Sequence, residues 1–109
     1  MATISKPLAR KTLTTTNTDV LHTVPSATTT ILTNIIVSNI TGSAATFNLT
    51  FPDATGTQIA FATSVSVAAN SIASFDLKQA LGGTGTQTII GWASTGSALT
   101  IHMSGVEIS

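Results

Sequence analysis

Apolar residues and residues with a side-chain hydroxyl alternate along much of this chain, almost one for one. The alternation is clearest over residues 46–51, 63–67 and 99–104. A period of two places successive side chains on opposite faces of a pleated strand. The pattern therefore predicts strands with one apolar face and one face covered by hydroxyl groups instead of charges.

Turn-forming residues divide this pattern into short segments. The predicted strands cover residues 11–15, 20–24, 30–40, 44–51, 57–69, 71–75, 87–93 and 98–108. One short helical turn is predicted over residues 76–81, because Asp76 can cap it and Gly82-Gly83 can end it. No helix is long enough to connect parallel strands. The sequence thus predicts an all-β protein, an antiparallel β-sandwich or jelly roll of about 7–8 strands.

The N-terminal residues 1–11 differ in composition from the rest of the chain. They contain Pro7 and the cations Lys6, Arg10 and Lys11, with little periodicity. This predicts an extended basic arm in front of a single β-sandwich domain over residues 12–109. Basic arms often contact a partner, and fraying of a free terminus is the alternative. The accessible surface of folded proteins scales with molecular mass, and for one domain of 11.1 kDa this scaling gives roughly 5,700 Å².

The composition limits the classes of function. The chain has 109 residues, of which 42% are hydrophobic and 7% charged, with no cysteine and a formal net charge of zero. A dense basic patch is missing, so we expect no nucleic-acid partner. Neither a signal-peptide pattern nor a long apolar run is present, so we expect no membrane association and synthesis in the cytoplasm. So few charges favour a protein that is packed inside an assembly. The simpler alternative is that the Thr-rich surface is polar enough to keep an isolated domain in solution.

Residues that could carry chemistry are few. His22 and His102 could meet across a sheet and bind a metal, but zinc needs three or four ligands, and half-buried histidines are the expected alternative. Asp53 and Asp76 could act as a general acid and base, although local backbone hydrogen bonds explain both positions. The glycine-rich residues 82–86 lack the lysine of a phosphate loop. We therefore predict no catalytic residue, no metal and no cofactor.

The single tryptophan, Trp92, has two interpretations. If Ile90 points inward, Trp92 shares its face and belongs to the core. Otherwise Trp92 is free to anchor an interface or to stack on a sugar. The candidate partner-binding residues are therefore Lys6, Arg10, Lys11 and Trp92.

The second half of the chain resembles small β-sandwich virion proteins of tailed bacteriophages. The resemblance is carried by the segments Ser64-Val-Ser-Val-Ala-Ala-Asn and Gly91-Trp-Ala-Ser-Thr-Gly, with their continuations to residues 81 and 108. A preceding segment, from Val24-Pro25 to Ser38-Asn39, stands in the same order before an Ala/Thr-rich strand. The resemblance covers residues 20 to 108 and includes no catalytic motif. It implies a structural role in the virion, either in capsid decoration or in the head, neck or tail.

From this resemblance we expect a non-enzymatic capsid cement protein. It would form a homo-oligomer, with a trimer as the expected state, and would bind the major capsid protein or other virion proteins to stabilise the assembled head. The alternative is a tail, neck or fibre component, or a receptor- or glycan-binding module that uses loops such as residues 52–56 and 82–85. A small hydrolase is a third hypothesis, for which the sequence offers no site.

Overall fold

The structure is a computed structural model that describes residues 3–83 and 86–109. Residues 1–2 of the predicted arm and residues 84–85 of the glycine-rich segment lie outside the described residues. The described residues form eight strands and no helix, which confirms the predicted all-β class. The strands are β1 (Thr3–Thr12), β2 (Val20–Thr23), β3 (Thr29–Asn39), β4 (Ala45–Pro52), β5 (Gln58–Val67), β6 (Ile72–Leu81), β7 (Thr88–Ala93) and β8 (Leu99–Ile108).

The strands form two four-stranded antiparallel sheets. Sheet A has the order β1-β8-β3-β6 and sheet B the order β2-β7-β4-β5. This order is that of a jelly roll, in which eight strands are arranged as two Greek keys. Strands β1 and β2 contact each other on one side of the sandwich, and Phe47 of β4 contacts Phe75 of β6 near the other side. The accessible surface is 5558 Å², close to the value expected for a single domain.

The alternation of apolar and polar residues matches the two faces of each strand. In β8, Leu99, Ile101 and Met103 are fully buried between the sheets, whereas His102 is exposed on the outer face. Strand β4 follows the same rule, with Phe47 and Leu49 buried. The hydroxyl groups therefore lie mainly on the outer faces of the sandwich, as the pattern predicts.

The helical turn predicted over residues 76–81 is wrong. These residues belong to β6, which pairs with β3 from Ile72 to Leu81. Phe75 and Leu77 pack against the core, and Asp76 lies on the outer face, where Asn34 Nδ2 donates a hydrogen bond to it over 3.3 Å. Helix propensity is a weak preference that pairing and packing readily override. The ladder with β3 therefore decides the conformation of this segment.

The predicted arm is also not separate from the domain over its described residues. Residues 3–12 form β1, an edge strand of sheet A that pairs with β8 from Thr3 to Thr12. Leu8 is buried in the core beneath it. The predicted strand over residues 11–15 thus contributes only its first two residues to a strand. The β-sandwich accordingly begins within the segment that the composition alone assigned to an arm.

Candidate interaction surfaces

Two of the three cations predicted to bind a partner are engaged within the chain. Lys6 Nζ lies 2.8 Å from Glu107 Oε1, and Lys11 Nζ lies 3.0 Å from Asp19 Oδ1. Arg10 is exposed and pairs in register with His102, which is exposed on the outer face of sheet A. Lys6 and Lys11 therefore form ion pairs on the β1/β2 side of the sandwich. Arg10 is the one of the three predicted cations that points away from the sandwich without such a pair.

The carboxylate of Glu107 is the centre of a buried polar cluster. Besides its ion pair with Lys6, it accepts a hydrogen bond from Thr30 Oγ1 at 3.1 Å, and His22 Nε2 lies 3.4 Å from its Oε2. The hydrogen bond from Lys6 outweighs burial and lowers the pKa of Glu107 below its usual value. Because Lys6, Thr30 and Glu107 belong to sheet A and His22 to sheet B, the cluster links the two sheets.

The described residues contain no group of three or more His, Cys, Asp or Glu side chains that could hold a metal ion. His22 lies inside the sandwich and His102 on an outer face, so the two histidines do not meet. Asp53 accepts hydrogen bonds from the hydroxyl and N–H of Thr55 and from the N–H of Thr57, and these bonds lower its pKa. Its role is to shape the loop after β4, as local hydrogen bonding predicts. Within residues 3–83 and 86–109 there is no helix that could span a membrane.

The distribution of charge distinguishes the two sheets. The described strands of sheet B contain no Asp, Glu, Lys or Arg. Asp19 and Asp53 lie in loops. Every charged residue that lies in a described strand belongs to sheet A, namely Lys6, Arg10, Lys11, Asp76, Lys78 and Glu107. An uncharged face loses less hydration energy than a charged face when it is covered by another protein surface.

Trp92 lies on this uncharged outer face. Ile89, Gly91 and Ala93 of β7 are buried, so Ile90 and Trp92 point outward, and the core interpretation of Trp92 is wrong. Val20 is paired with Ile90 across β2 and β7 and is 43% exposed. We call Val20, Ile90 and Trp92 the tryptophan patch. Asn48 and Thr50 of β4 lie next to it in register, so uncharged polar groups border the patch.

A second apolar surface lies along the β5/β6 side of the sandwich. Ile59 is 54% and Phe61 42% exposed, and the ring of Phe61 stacks on Phe51 with centroids 4.5 Å apart. Val65, Phe75 and Leu77 are half-buried against the core on the same side. We call Ile59, Phe61, Val65, Phe75 and Leu77 the edge strip. No residue of the strip was a candidate from sequence, although the absence of charge from residue 54 to 75 is a signal that could have indicated it.

The free edges of the sheets are protected against pairing with further strands. Strand β1 carries Pro7 and three cations, β2 has only 4 residues, and β6 carries Asp76 and Lys78. Strand β5 has neither charge nor proline, but its register with β4 shifts twice, and the N–H of Ser64 bonds to Asn48 Oδ1 instead of a backbone carbonyl. Charges, prolines and bulges are the usual means of blocking edge-to-edge pairing. The edge strip is therefore suited to side-chain packing and not to sheet extension.

Three loops converge at one end of the sandwich. Gln87 Nε2 donates a hydrogen bond to the carbonyl of Asp53 over 3.0 Å, and a Cβ at Gly83 would collide with the carbonyl of Ala54. The loop after β2 completes an open cleft of about 250 Å³, whose lining includes Ser26, Thr28 and Gln87. The loops predicted as candidate ligand-binding loops, residues 52–56 and the described part of 82–85, are thus brought together.

Comparison with known proteins identifies a shared fold and no family. No family model matches the chain, and no curated protein matches it. Among solved structures, a chain from the structure of infectious bursal disease virus, Gx strain, aligns with a TM-score of 0.51 at 15% sequence identity. The alignment covers 97% of this chain and 32% of that chain. This chain therefore spans about a third of the viral chain and is similar in fold to the aligned part of it.

Proposed function

We propose that this chain is a non-enzymatic structural protein of a virus particle, which packs against neighbouring subunits through sheet B. The observation that carries this proposal is the uncharged outer face of sheet B, with Trp92 at its centre. The jelly roll and its similarity to a chain of a virus structure support it. The more specific form of the proposal is a capsid decoration protein, as the resemblance to tailed-phage proteins implies.

The physical basis is the burial of a surface whose desolvation has a low free-energy cost. Hydroxyl-bearing and apolar side chains give up less hydration energy than charged ones when they enter an interface. A protein that binds the assembled shell but not its free subunits stabilises the shell by mass action. A rigid sandwich whose strand edges are blocked can do this without open-ended aggregation. Of the three cations predicted to bind a partner, Arg10 has no ion pair among the described residues and could contact an acidic group on the capsid.

Counting this protein in purified virus particles tests the proposal. Quantitative mass spectrometry of particles against the major capsid protein should give hundreds of copies per particle for a decoration protein. A few to a few dozen copies would overturn the decoration role in favour of a tail or neck component. Complete absence from washed particles would overturn the structural role itself. A Trp92→Lys variant supplied in trans should be depleted from particles, whereas an Ile40→Lys variant, altered at an exposed loop position, should be incorporated normally.

A second candidate function is supported by the cleft between the loops. Its lining includes the hydroxyl-bearing side chains Ser26 and Thr28 but neither a charged nor an aromatic side chain, which favours a neutral polyhydroxyl ligand such as a glycan. A glycan array probed with the labelled protein tests this function. Binding that is lost when Ser26 and Thr28 are both replaced by alanine would support it, and absence of binding across the array would refute it.

A further inference from the structure

We propose that copies of this chain associate head to tail, with the edge strip of one copy packed against the tryptophan patch of the next. This inference rests on the proposed structural function and names its partner, a second copy. The strip and the patch both belong to the described part of the chain, and both expose apolar side chains. The patch and the β5 part of the strip lie on strands without charge, whereas Leu77 of the strip lies between Asp76 and Lys78 of β6. A single contact between the edge strip of one copy and the tryptophan patch of the next would cover both surfaces.

Charge distribution argues for this partner. Between residues 54 and 75 the chain carries no charge, and the strands around Trp92 carry none either. The outer face of sheet A, in contrast, presents Arg10 opposite His102 and Asp76 opposite Asn34. Packing the strip there would bury charged groups without a partner for them, which is strongly unfavourable. The tryptophan patch matches the β5 part of the strip in its lack of charge.

The positions of the two surfaces determine the type of assembly. The strip lies on the β5/β6 side, whereas the patch lies on the outer face of β2 and β7, so one copy offers two different surfaces in different directions. A contact between unlike surfaces is heterologous and closes into a ring when the rotation between copies allows it. A symmetric dimer through two identical strips would instead leave the tryptophan patches exposed. The expected trimer is one of the rings compatible with this contact.

Each single contact is small. Ile59 and Phe61 are about half exposed, and a large aromatic side chain buries about 150–250 Å² in total. A stable interface needs about 800 Å² on each partner, so the hydroxyl-bearing residues beside the patch must supply much of the area. Closing a ring adds a second contact to every copy and raises the effective affinity without new chemistry. We therefore expect cooperative assembly over a narrow concentration range.

Sedimentation velocity with paired variants tests the inference. Ile59→Lys places a charge in the strip, Val20→Lys places one in the patch, and Ile40→Lys is the matched control, since Ile40 is 61% exposed in a loop outside both surfaces. Wild type and the control should form a closed oligomer at high protein concentration. Either variant alone should stay monomeric, with an association constant reduced at least tenfold. Circular dichroism and thermal melting identify any variant that fails to fold, in which case Phe61→Ser and Trp92→Ser replace the pair.

Mixing the two variants distinguishes this contact from a symmetric one. The Val20→Lys copy keeps its strip and the Ile59→Lys copy keeps its patch, so the mixture can form one contact but cannot close a ring. At protein concentrations well above those at which wild type assembles, an equimolar mixture should therefore form a heterodimer and nothing larger. A mixture that stays monomeric, or single variants that assemble like wild type, would overturn the inference. The outcome is separable from the proposed function. A protein abundant in particles but monomeric in this assay refutes only the inference, and one that assembles but is missing from particles refutes only the function.

Discussion

Replacing Glu107 by glutamine should lower the free energy of unfolding and should also reduce the dependence of this free energy on pH. The variant keeps the size of the side chain but removes its charge and one of the two acceptor oxygens, which Lys6 contacts at 2.8 Å and Thr30 at 3.1 Å. Hydrogen bonds to a buried charged group contribute about 1.5–3 kcal/mol each. Because the Lys6 side chain is 43% exposed, water replaces part of the interaction that it loses. We therefore expect Glu107→Gln to lower the free energy of unfolding by about 1–2 kcal/mol at pH 7.

The pH dependence arises from the lowered pKa of Glu107. A carboxylate whose pKa is lower in the folded state stabilises the fold above its unfolded pKa, and this contribution is lost as the pH falls through the folded pKa. The ordinary pKa is 4.5, so the contribution should disappear below that value. The difference between wild type and Glu107→Gln should accordingly narrow as the pH falls from about 5 to about 3.

Urea unfolding followed by circular dichroism at several pH values measures this difference. At pH 7 the thermal midpoint of the variant should also fall by about 4–8 °C. Asp76→Asn is the matched control, since its carboxylate lies on the outer face and accepts one hydrogen bond over 3.3 Å. That variant should change stability by less than about 0.5 kcal/mol. A Glu107→Gln variant as stable as wild type at pH 7, or a difference that stays constant down to pH 3, would refute the role assigned to the cluster.

Two further predictions concern β1 and β8. Deleting residues 1–11 should lower the thermal midpoint by more than about 10 °C or make the protein insoluble, because it removes the β1–β8 ladder and the buried Leu8. The control Arg10→Ala should leave the thermal midpoint unchanged. A truncated domain as stable as the full chain would show that residues 1–11 are a separate arm after all. Gly105→Ala should lower the free energy of unfolding by about 2–4 kcal/mol, because a Cβ there would collide with the Ile31 carbonyl. Gly96→Ala, which has open space around it, should be neutral in the same denaturation assay, and equal effects of the two changes would contradict the packing described.

The strands with regular alternation could be predicted from sequence because one face of each is buried. Strands β3, β4, β7 and β8 lie within about one residue of their predicted bounds. Strand β1 could not be recognised, since the cations and Pro7 that guard an edge strand against pairing also resemble a flexible arm. The helical turn over residues 76–81 failed for a different reason, because pairing with β3 decides that segment and is not visible locally.

The candidate surface depended on information that a local pattern does not contain. A shift of one residue in register moves every side chain of a strand to the opposite face, so the sequence left two interpretations of Trp92. The edge strip was missed because the exposure of Ile59 and Phe61 depends on β5 being an edge strand, which is a property of the sheet order. Lys6 and Lys11 were predicted to contact a partner from composition alone, because the carboxylates that they contact within the chain, Glu107 and Asp19, are brought to them only by folding.

Trp92 itself provides the most direct test of the claim that the outer face of sheet B is the assembly surface. It is the only tryptophan, so its fluorescence reports on this face alone. The emission spectrum and acrylamide quenching are measured as the protein concentration rises through the oligomerisation range determined by sedimentation. We expect the emission to shift to shorter wavelength and quenching to fall in parallel with oligomer formation. Oligomers in which Trp92 remains as accessible to acrylamide as in the monomer would contradict the claim.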